Sequence, residues 1–428
     1  MNWEPIYALL IFFSTVVTYV CANQIDKETE QKKRKLYLVS SVIINFGILF
    51  VFKYYNFITE SVFNVLDSAG VRVHFPEFKL LLPVGISFYT FQAVGYTIDV
   101  YRKELKHETH FGKYALFVSF FPQLVAGPIE RATNLLPQFR KEIKFDYRMA
   151  IDGTKLIIWG YFMKVVVADR MAVYTDTIYS NIGGHSAITI IVGTIFFAFQ
   201  IYCDFGGYSS IAIGCAKIMG FDLMTNFKRP YFAQTPVEFW RRWHISLSTW
   251  FKDYVYIPLG GNRVSKTRKY YNLFITFLVS GLWHGANWTF VIWGGVNGIY
   301  QIVYSILNIK PSKNVKNVFV YLFNISTNFV LICFSWIFFR ANSMSDAITA
   351  ISRTFTAPGK FFMGDEKGFV FAIIGLVVLL GKDTYDEFLL EQRLKPKKIA
   401  KGAWYLGLVM LILLIGVFDG GQFIYFQF

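Results

Sequence analysis

The stretch SGLWHGANW at residues 280–288 decides the fold, because it places an ionisable ring, that of His284, in one of the most apolar parts of the chain. An ionisable side chain at membrane depth is costly, and such a residue marks a functional site by default. Gly281 and Gly285 flank the ring and permit either a break in the helix or a close approach of a substrate to the backbone. We therefore predict that His284 is a catalytic base in a protein that crosses a membrane several times.

The composition is typical of an integral membrane protein. Of the 428 residues, 54% are hydrophobic and 17% are charged, whereas soluble domains have about 45–50% and about 25%. The net charge of +15 is expected to reflect Lys and Arg in cytoplasmic loops, where they also attract anionic membrane lipids, and not a nucleic-acid partner. The four cysteines lie in apolar stretches without paired spacing, so we expect no disulfide and no metal site.

Apolar runs predict about ten transmembrane helices within one domain that covers residues 1–428. A run at 114–126 is too short to span, and the Pro- and Gly-rich segment at its end predicts a re-entrant helix. Residues 204–271 contain no clean span and predict short helices at the inner face of the bilayer. The predicted spans are 6–22, 36–52, 80–100, 151–168, 188–203, 272–283, 286–306, 317–339, 367–381 and 403–418.

The positions of the charged residues orient these spans. Basic loops are expected in the cytoplasm, and the loop at 171–187, which has no Lys or Arg, is expected outside. Pro83, Gly85 and Gly95 predict that the span at 80–100 is bent. The loops assigned to the cytoplasm are 26–35, 140–148 and 391–398.

Two of the six histidines, His244 and His284, are candidates for chemistry, since the other four lie in predicted loops. For His284 the alternative is a neutral ring that a backbone carbonyl satisfies in a packed bundle. For His244 the alternatives are a surface group near lipid headgroups and a polar clamp between short helices.

Several other polar residues accompany the two histidines. For most of them a structural explanation is sufficient. Glu238 precedes Arg241 and Arg242 at helical spacing, so a helical ion pair explains these charges without a ligand. Asp204 is interpreted as the cap of a helix at the membrane interface. Asn287 is a candidate for the polar group that orients His284.

Signatures of other enzyme classes are missing from the sequence. It has no zinc-ligand spacing, no Gly-x-Ser-x-Gly elbow, no P-loop and no dinucleotide fingerprint. These absences leave a membrane-embedded histidine as the candidate centre.

Four motifs resemble the membrane-bound O-acyltransferases (MBOAT), and more closely their bacterial branch that O-acetylates alginate and other polysaccharides. The resemblance covers nearly the whole chain, with core motifs in residues 114–300. The motifs are FFPQLVAGPI at 120–129, YCDFGGYS at 202–209, EFWRRWHISLS at 238–248 running into DYVYIPLGGNR at 253–263, and GLWHGANWTF at 281–290, and the ending FIYFQF at 423–428 also resembles the family.

The resemblance implies helices around a central funnel, with His284 as the principal catalytic residue and His244 as the second motif histidine. The chain departs from the usual family pattern at Gly206, Ser210 and Lys252, where serine, aspartate and arginine are common. These departures put the role of the segment around Asp204 in doubt but leave both histidines intact. Candidates for substrate contacts are Asn287, Trp283, Arg241 and Asp204.

The implied activity is acetyl transfer from a cytoplasmic thioester donor, acetyl-CoA, across the bacterial inner membrane. The basic region at 217–269 is expected to hold the phosphates of the donor, and no bound cofactor is expected. A periplasmic acetyltransferase partner of the SGNH type would pass the acetyl group to an alginate-type exopolysaccharide or to peptidoglycan.

Three other functions remain as alternatives. The branch that transfers D-alanine to teichoic acids lacks the IPLGGNR pattern at 257–263 and ranks second. A transporter or flippase for a lipid-linked substrate would use His244 and His284 as a proton relay. A scaffold that recruits a periplasmic enzyme would need neither histidine.

Overall fold

A computed structural model of the protein describes residues 7–71, 73–78, 80, 82–124, 127–311, 318–389, 398–418 and 423. All regular secondary structure in these residues is helical, which confirms the predicted all-α class. The chain divides into two compact units, residues 1–146 with 219–224 and residues 147–218 with 225–428. That the whole chain is one domain stays a prediction.

Five helical stretches of the described chain are long and apolar enough to cross a membrane. They support the predicted multi-pass membrane protein. The other predicted spans fall on helices that are shorter or less apolar, so the number ten stays a prediction, as do the central funnel and the sides assigned to the loops. The five stretches are Tyr7–Lys27, Gln31–Ser68, Ala187–Ile218, Val318–Arg340 and Glu366–Phe388.

The helices of the first unit pack through buried hydroxyl and amide groups as well as apolar side chains. Ser14 Oγ donates to Asn45 Oδ1 at 2.5 Å, and Tyr114 Oη donates to Thr18 Oγ1 at 2.6 Å. In apolar surroundings such bonds hold neighbouring helices together. The unit contains α1 (Tyr7–Lys27), α2 (Gln31–Leu49), α3 (Tyr55–Ser68), α4 (Ile86–Tyr101), α5 (Phe111–Ser119), α6 (Phe121–Leu124) and α7 (Ala132–Phe139).

Helix α4 begins at Ile86, later than the span predicted at 80–100, so a bend at Pro83 and Gly85 is wrong. Gly85 has φ +79° and directly precedes the helix. A Cβ at Gly85 would lie 2.5 Å from the carbonyl oxygen of Leu124, so both the conformation and the close approach require glycine. Pro83 and Gly85 therefore start α4 instead of bending it.

The run at 114–126, predicted to be too short to span, falls on two short helices, α5 and α6, and its re-entrant position stays a prediction. Beyond it Glu130, which is buried, accepts a hydrogen bond from the backbone N–H of Met224 and another from Asn134 Nδ2 at 2.9 Å. This carboxylate fixes residues 219–224 to the first unit.

The second unit is organised around the contact between α8 and α10. A Cβ at Gly153 would lie 2.5 Å from the carbonyl oxygen of Gly214, and a Cβ at Gly160 would lie 2.6 Å from that of Gly207. These glycines let the two backbones touch at two levels. The unit contains α8 (Tyr147–Tyr161), α9 (Asp169–Ser180), α10 (Ala187–Ile218), α11 (Pro236–Arg242), α12 (Ile245–Phe251), α13 (Lys266–His284), α14 (Trp288–Ile306), α15 (Val318–Arg340), α16 (Met344–Thr356), α17 (Glu366–Thr384) and α18 (Lys398–Ile415).

Two predicted boundaries in this unit are wrong. Helix α8 continues through a π-helical turn, Phe162–Ala168, into α9, so the predicted external loop at 171–187 is helical as far as Ser180. Helix α10 runs for 32 residues and passes the predicted end at 203. Gly207 and Gly214, which lie beyond that predicted end, form the close contact with α8.

The remainder of the unit agrees with the predictions in most places. Short helices follow one another from Pro230 to Tyr256, and α13 and α14 form the predicted broken pair around His284. Helix α16 was not predicted. The basic stretch at 391–398 falls almost entirely outside the described residues.

Candidate active site

His284 is the last residue of α13, and its position follows from the packing of α13 against α14. A Cβ at Gly281 would lie 2.2 Å from the carbonyl oxygen of Phe290, and one at Gly285 would lie 2.2 Å from the ring of Phe290. Both glycines are therefore needed for the approach of α14. The helix break expected from them is confirmed, but the partner at the backbone is α14 and not a substrate.

The ring of His284 is enclosed by aromatic side chains. It is 3% exposed, and the ring centroids of Trp283 and Trp293 each lie 5.0 Å away, with that of Phe339 at 5.5 Å. Trp293 stacks on Trp336 at 5.7 Å, which extends the wall. The ring is thus shielded from bulk water.

His244 lies between the short helices α11 and α12 and is 0% exposed. The alternative of a surface group near lipid headgroups is therefore wrong. Its φ is +41°, a left-handed conformation that is uncommon for a residue other than glycine. Its Nδ1 lies 3.2 Å from Asn226 Oδ1. Burial lowers the pKa of the His244 ring to about 3, so the ring is neutral near pH 7.

The structure brings the two histidines together, with ring centroids 6.4 Å apart. We call His244 and His284 the histidine pair. Trp283 borders both rings, at 6.2 Å from His244. At this separation the rings do not stack, but one oxygen atom could lie within hydrogen-bonding distance of both. The catalytic roles assigned to the two residues stay predictions.

Asp204 was interpreted as a helix cap, and this is wrong, because it lies inside α10 and is 3% exposed. Its carboxylate is 2.6 Å from Lys164 Nζ, and the same Nζ is 2.8 Å from Asp169. We call Lys164, Asp169 and Asp204 the charge triad. Lys164, the only charged residue in the apolar stretch at 156–168, was the sequence signal for such a group.

The charges around α11 divide into a paired set and an unpaired set. The helical ion pair predicted for Glu238 is confirmed with Arg242, at 2.6 Å. Glu387, which the sequence did not suggest, pairs with Arg242 at 2.9 Å and with Arg229 at 2.6 Å. Arg241 forms no ion pair with an acidic group of the described chain, and it is exposed.

Arg241 lines a cleft of about 1020 Å³. Lys269 at the start of α13 and Lys310 beyond α14 line the same cleft, and Glu238 and Glu387 form part of its wall. The cleft is therefore partly basic. It overlaps the region at 217–269 that the sequence suggested for phosphate groups.

Asn287 caps α14. Its Oδ1 accepts from the backbone N–H of Thr289 at 3.0 Å, and its Nδ2 donates to the carbonyl oxygen of Asn342 at 3.3 Å. This role accounts for the residue without reference to His284. Within the described residues, no group of three or more His, Cys, Asp and Glu side chains is arranged to hold a metal ion.

Two residues that contribute to the site were missed at the sequence level. Asn226 lies next to His244 but is separated from it by a loop and α11, and no motif marked it. Phe423 was noted only as part of the chain ending. Its ring packs on Tyr208 at 4.3 Å and on Phe205 at 5.8 Å, and Phe205 contacts His244 at 4.5 Å. Residues 424–428 lie outside the described residues.

The sequence pattern of the membrane-bound O-acyltransferase family, MBOAT, matches residues 100–339, which include both histidines. The probable alginate O-acetylase AlgI of Pseudomonas aeruginosa is 37% identical over 81% of this chain, and the chain spans 65% of the length of that relative. The peptidoglycan O-acetyltransferase of Helicobacter pylori is 36% identical over 82% of this chain and 70% of its own length.

The teichoic acid D-alanyltransferase of Streptococcus thermophilus is 30% identical over 53% of this chain and 57% of its own length. The sequence identity to the acetylases is thus higher and extends over more of the chain, in agreement with the motifs around the histidine pair. The chain belongs to the membrane-bound O-acyltransferase family.

Proposed function

We propose that this protein is a membrane O-acetyltransferase that supplies acetyl groups for an extracellular polysaccharide. The observation that carries the proposal is the histidine pair, buried and 6.4 Å apart, inside the segment that matches the family. The names of the relatives, alginate O-acetylase and peptidoglycan O-acetyltransferase, support acetyl as the group transferred and a polysaccharide as its destination.

The proposed reaction uses His284 as a general base. The hydroxyl oxygen of the acceptor attacks the carbonyl carbon of an acetyl thioester while its proton moves to the imidazole of His284. The C–S bond then breaks, and the departing thiolate takes this proton from the imidazolium. The products are an acetyl ester and a free thiol.

The aromatic enclosure supports this chemistry. Trp283, Trp293 and Phe339 around His284 limit the access of water, which would otherwise hydrolyse the thioester. A neutral imidazole is the form that accepts a proton. His244, the second ring of the pair, is placed to share the proton through one bridging oxygen.

We propose acetyl-CoA as the donor, with its phosphates in the cleft beside α11. Arg241, Lys269 and Lys310 there form no ion pair with an acidic group of the described chain, whereas Arg242 is neutralised by Glu238 and Glu387. Lys269 and His284 share α13 and lie about 22 Å apart at roughly 1.5 Å per residue. A donor bound in the cleft therefore needs a long arm, as the pantetheine of coenzyme A provides.

The cellular arrangement is part of the same proposal. The donor is cytoplasmic, the membrane is the bacterial inner membrane, and the acceptor hydroxyl belongs to a periplasmic partner of the SGNH type that esterifies the polysaccharide. The +15 net charge favours association with anionic lipids. D-alanyl transfer remains the second candidate function because the D-alanyltransferase relative matches less of the chain.

The test uses purified protein in lipid nanodiscs with radiolabelled acetyl-CoA, with and without candidate periplasmic partners. We expect release of free CoA that His284→Ala abolishes. The matched control is His74→Ala, which removes an exposed histidine. Unchanged CoA release in the His284 variant would exclude the proposed base. Absence of turnover with every partner, together with substrate uptake into vesicles, would favour the transporter.

The cleft is tested separately. Arg241→Glu with Lys269→Glu should raise KM for acetyl-CoA and leave kcat nearly unchanged, since these residues would contact only the phosphates. A fall in kcat alone would show that the cleft has another role. Acetyl-pantetheine, which lacks the nucleotide, should be insensitive to the double variant.

A further inference from the structure

Asn226 holds a fixed position beside His244. It is 0% exposed, and its carbonyl oxygen accepts from the backbone N–H of Ile245 at 2.9 Å. Its side-chain Oδ1 accepts from the backbone N–H of Ser246 at 3.2 Å and from Ser246 Oγ at 2.9 Å. Its Nδ2 donates to Ser209 Oγ of α10 at 3.1 Å.

These contacts fix which end of the amide faces His244. A backbone N–H can only donate, so the amide atom opposite the N–H of Ser246 must be the oxygen. The same oxygen lies 3.2 Å from His244 Nδ1. Two lone pairs would repel at that distance, so Nδ1 carries the proton.

The second nitrogen of His244 then follows from the first. A neutral imidazole has one N–H, so Nε2 bears a lone pair. Nε2 is buried and has no hydrogen-bond partner among the described residues. A buried acceptor without a partner is costly in a native structure and calls for an explanation such as a catalytic role.

The backbone supports the same orientation. His244 adopts φ +41° between two short helices, and Ile245 is tied to Asn226 by the backbone bond described above. Unusual backbone conformations persist where the surroundings hold them in place, and they concentrate at functional sites. Asn226 therefore fixes both the backbone and the ring of His244.

We infer that Asn226 is a positioning residue that holds His244 as its Nδ1–H tautomer and thereby presents Nε2 as a proton acceptor beside His284. The inference deepens the proposed function and rests on it for the catalytic consequence. In the reaction, Nε2 would accept a hydrogen bond from a bridging hydroxyl or water, so that it shares the proton that His284 removes and later gives to the thiolate. The tautomer itself is a property of the resting protein.

The first test is spectroscopic. Protein with ¹⁵N-labelled histidine in nanodiscs is studied by solid-state NMR, with the His244 signals assigned from His244→Gln. We expect wild-type His244 to give a protonated Nδ1 and an unprotonated Nε2. Asn226→Leu, which removes the acceptor, should shift the ring toward the Nε2–H tautomer, and Asn226→Asp should keep the original one. A protonated Nε2 in the wild type would overturn the inference.

The second test is kinetic. Asn226→Leu should lower kcat about 10²-fold, at the low end of what acid–base groups contribute, with KM little changed. Asn226→Asp should restore much of the rate. Its carboxylate favours imidazolium, so the pKa of His244 rises and activity should fail at a higher pH on acidification than in the wild type.

The control is Asn45→Leu, which removes another buried asparagine, hydrogen-bonded to Ser14 in the first unit. If both Asn→Leu variants lose the same activity, the loss reflects folding and the positioning role is wrong. Failure of the proposed function is distinguishable, because His284→Ala would then leave CoA release unchanged while the His244 tautomer remains as inferred.

Discussion

The charge triad and the histidine pair are two ways of burying ionisable groups in the same unit. In the triad, Lys164 lies 2.6 Å from Asp204, so opposite charges satisfy each other. In the pair, His284 is surrounded by Trp283, Trp293 and Phe339. The difference matches two roles: paired charges hold helices in place, whereas the rings enclosed by aromatic side chains are the groups that we propose for proton transfer.

Removal of the reactive ring should produce the largest effect. His284→Ala should lower kcat by about 10²- to 10⁴-fold, the usual contribution of a general base. Thermal unfolding should change little in comparison, because the aromatic wall remains. The measurement is CoA release beside a melting curve in the same nanodiscs. A collapse of the melting temperature with no separate catalytic loss would place His284 with the structural groups.

The close contact between the backbones of α8 and α10, near the charge triad, should be the next most sensitive to substitution. Gly207→Leu would force a side chain against the carbonyl oxygen of Gly160, where even a Cβ would lie 2.7 Å away. We expect destabilisation of 3 kcal/mol or more, at or beyond the ~1–3 kcal/mol typical of overpacking, since backbone cannot easily yield. The control is Gly183→Ala, where a Cβ meets nothing within 4 Å. Equal free energies of unfolding for Gly207→Leu and Gly183→Ala would contradict the close packing of α8 against α10.

Removal of one carboxylate from the charge triad should lower the free energy of unfolding slightly less than Gly207→Leu does. Asp204→Asn leaves Lys164 with Asp169 alone, and loss of one partner of a buried ion pair typically costs about 3–5 kcal/mol when no other partner remains. We expect a loss of about 2–3 kcal/mol in chemical denaturation. Adding Lys164→Met should destabilise the protein further, because Asp169 would then be a buried carboxylate without its cation. Unchanged kcat per folded molecule would confirm a structural role.

The smallest effect is the dependence of stability on pH. The pKa of folded His244 is about 3, below the ordinary value of 6.5, so the unfolded chain binds more protons between these values. Stability should therefore fall as pH drops below 6.5, by about 1.4 kcal/mol at pH 5.5. His244→Gln should remove this component. Parallel profiles of stability against pH for the wild type and for His244→Gln would show that folding does not lower the pKa of His244.

The sequence predicted the fold well where hydropathy and helix breaks coincide. The pair α13 and α14 was recognised because Gly281 and Gly285 flank His284 within one long apolar run. The end of α10 was missed because Asp204 was interpreted as a helix cap at the membrane interface, although the helix continues through Gly206, Gly207 and Gly214. Inside a membrane bundle such residues more often permit contact between helices.

The candidate site was predictable only in part. His284 and His244 stood out because histidines are rare in apolar stretches. Asn226 and Glu387 had no local signal, since their importance comes from contacts with residues that are distant in the sequence. The pairing of Lys164 with Asp204 was accessible in principle, because each is a lone charge in an apolar run.

The ion pairs of Glu387 bear on how far the chain can be shortened. This residue lies beyond the segment 100–339 that matches the family, yet it neutralises Arg229 and Arg242 beside the helix that leads to His244. A chain trimmed to the family segment would keep both histidines but leave two arginines without this acidic partner. The shortest functional version of this protein should therefore extend at least to α17 and the π-helical turn Tyr385–Leu389 that carries Glu387.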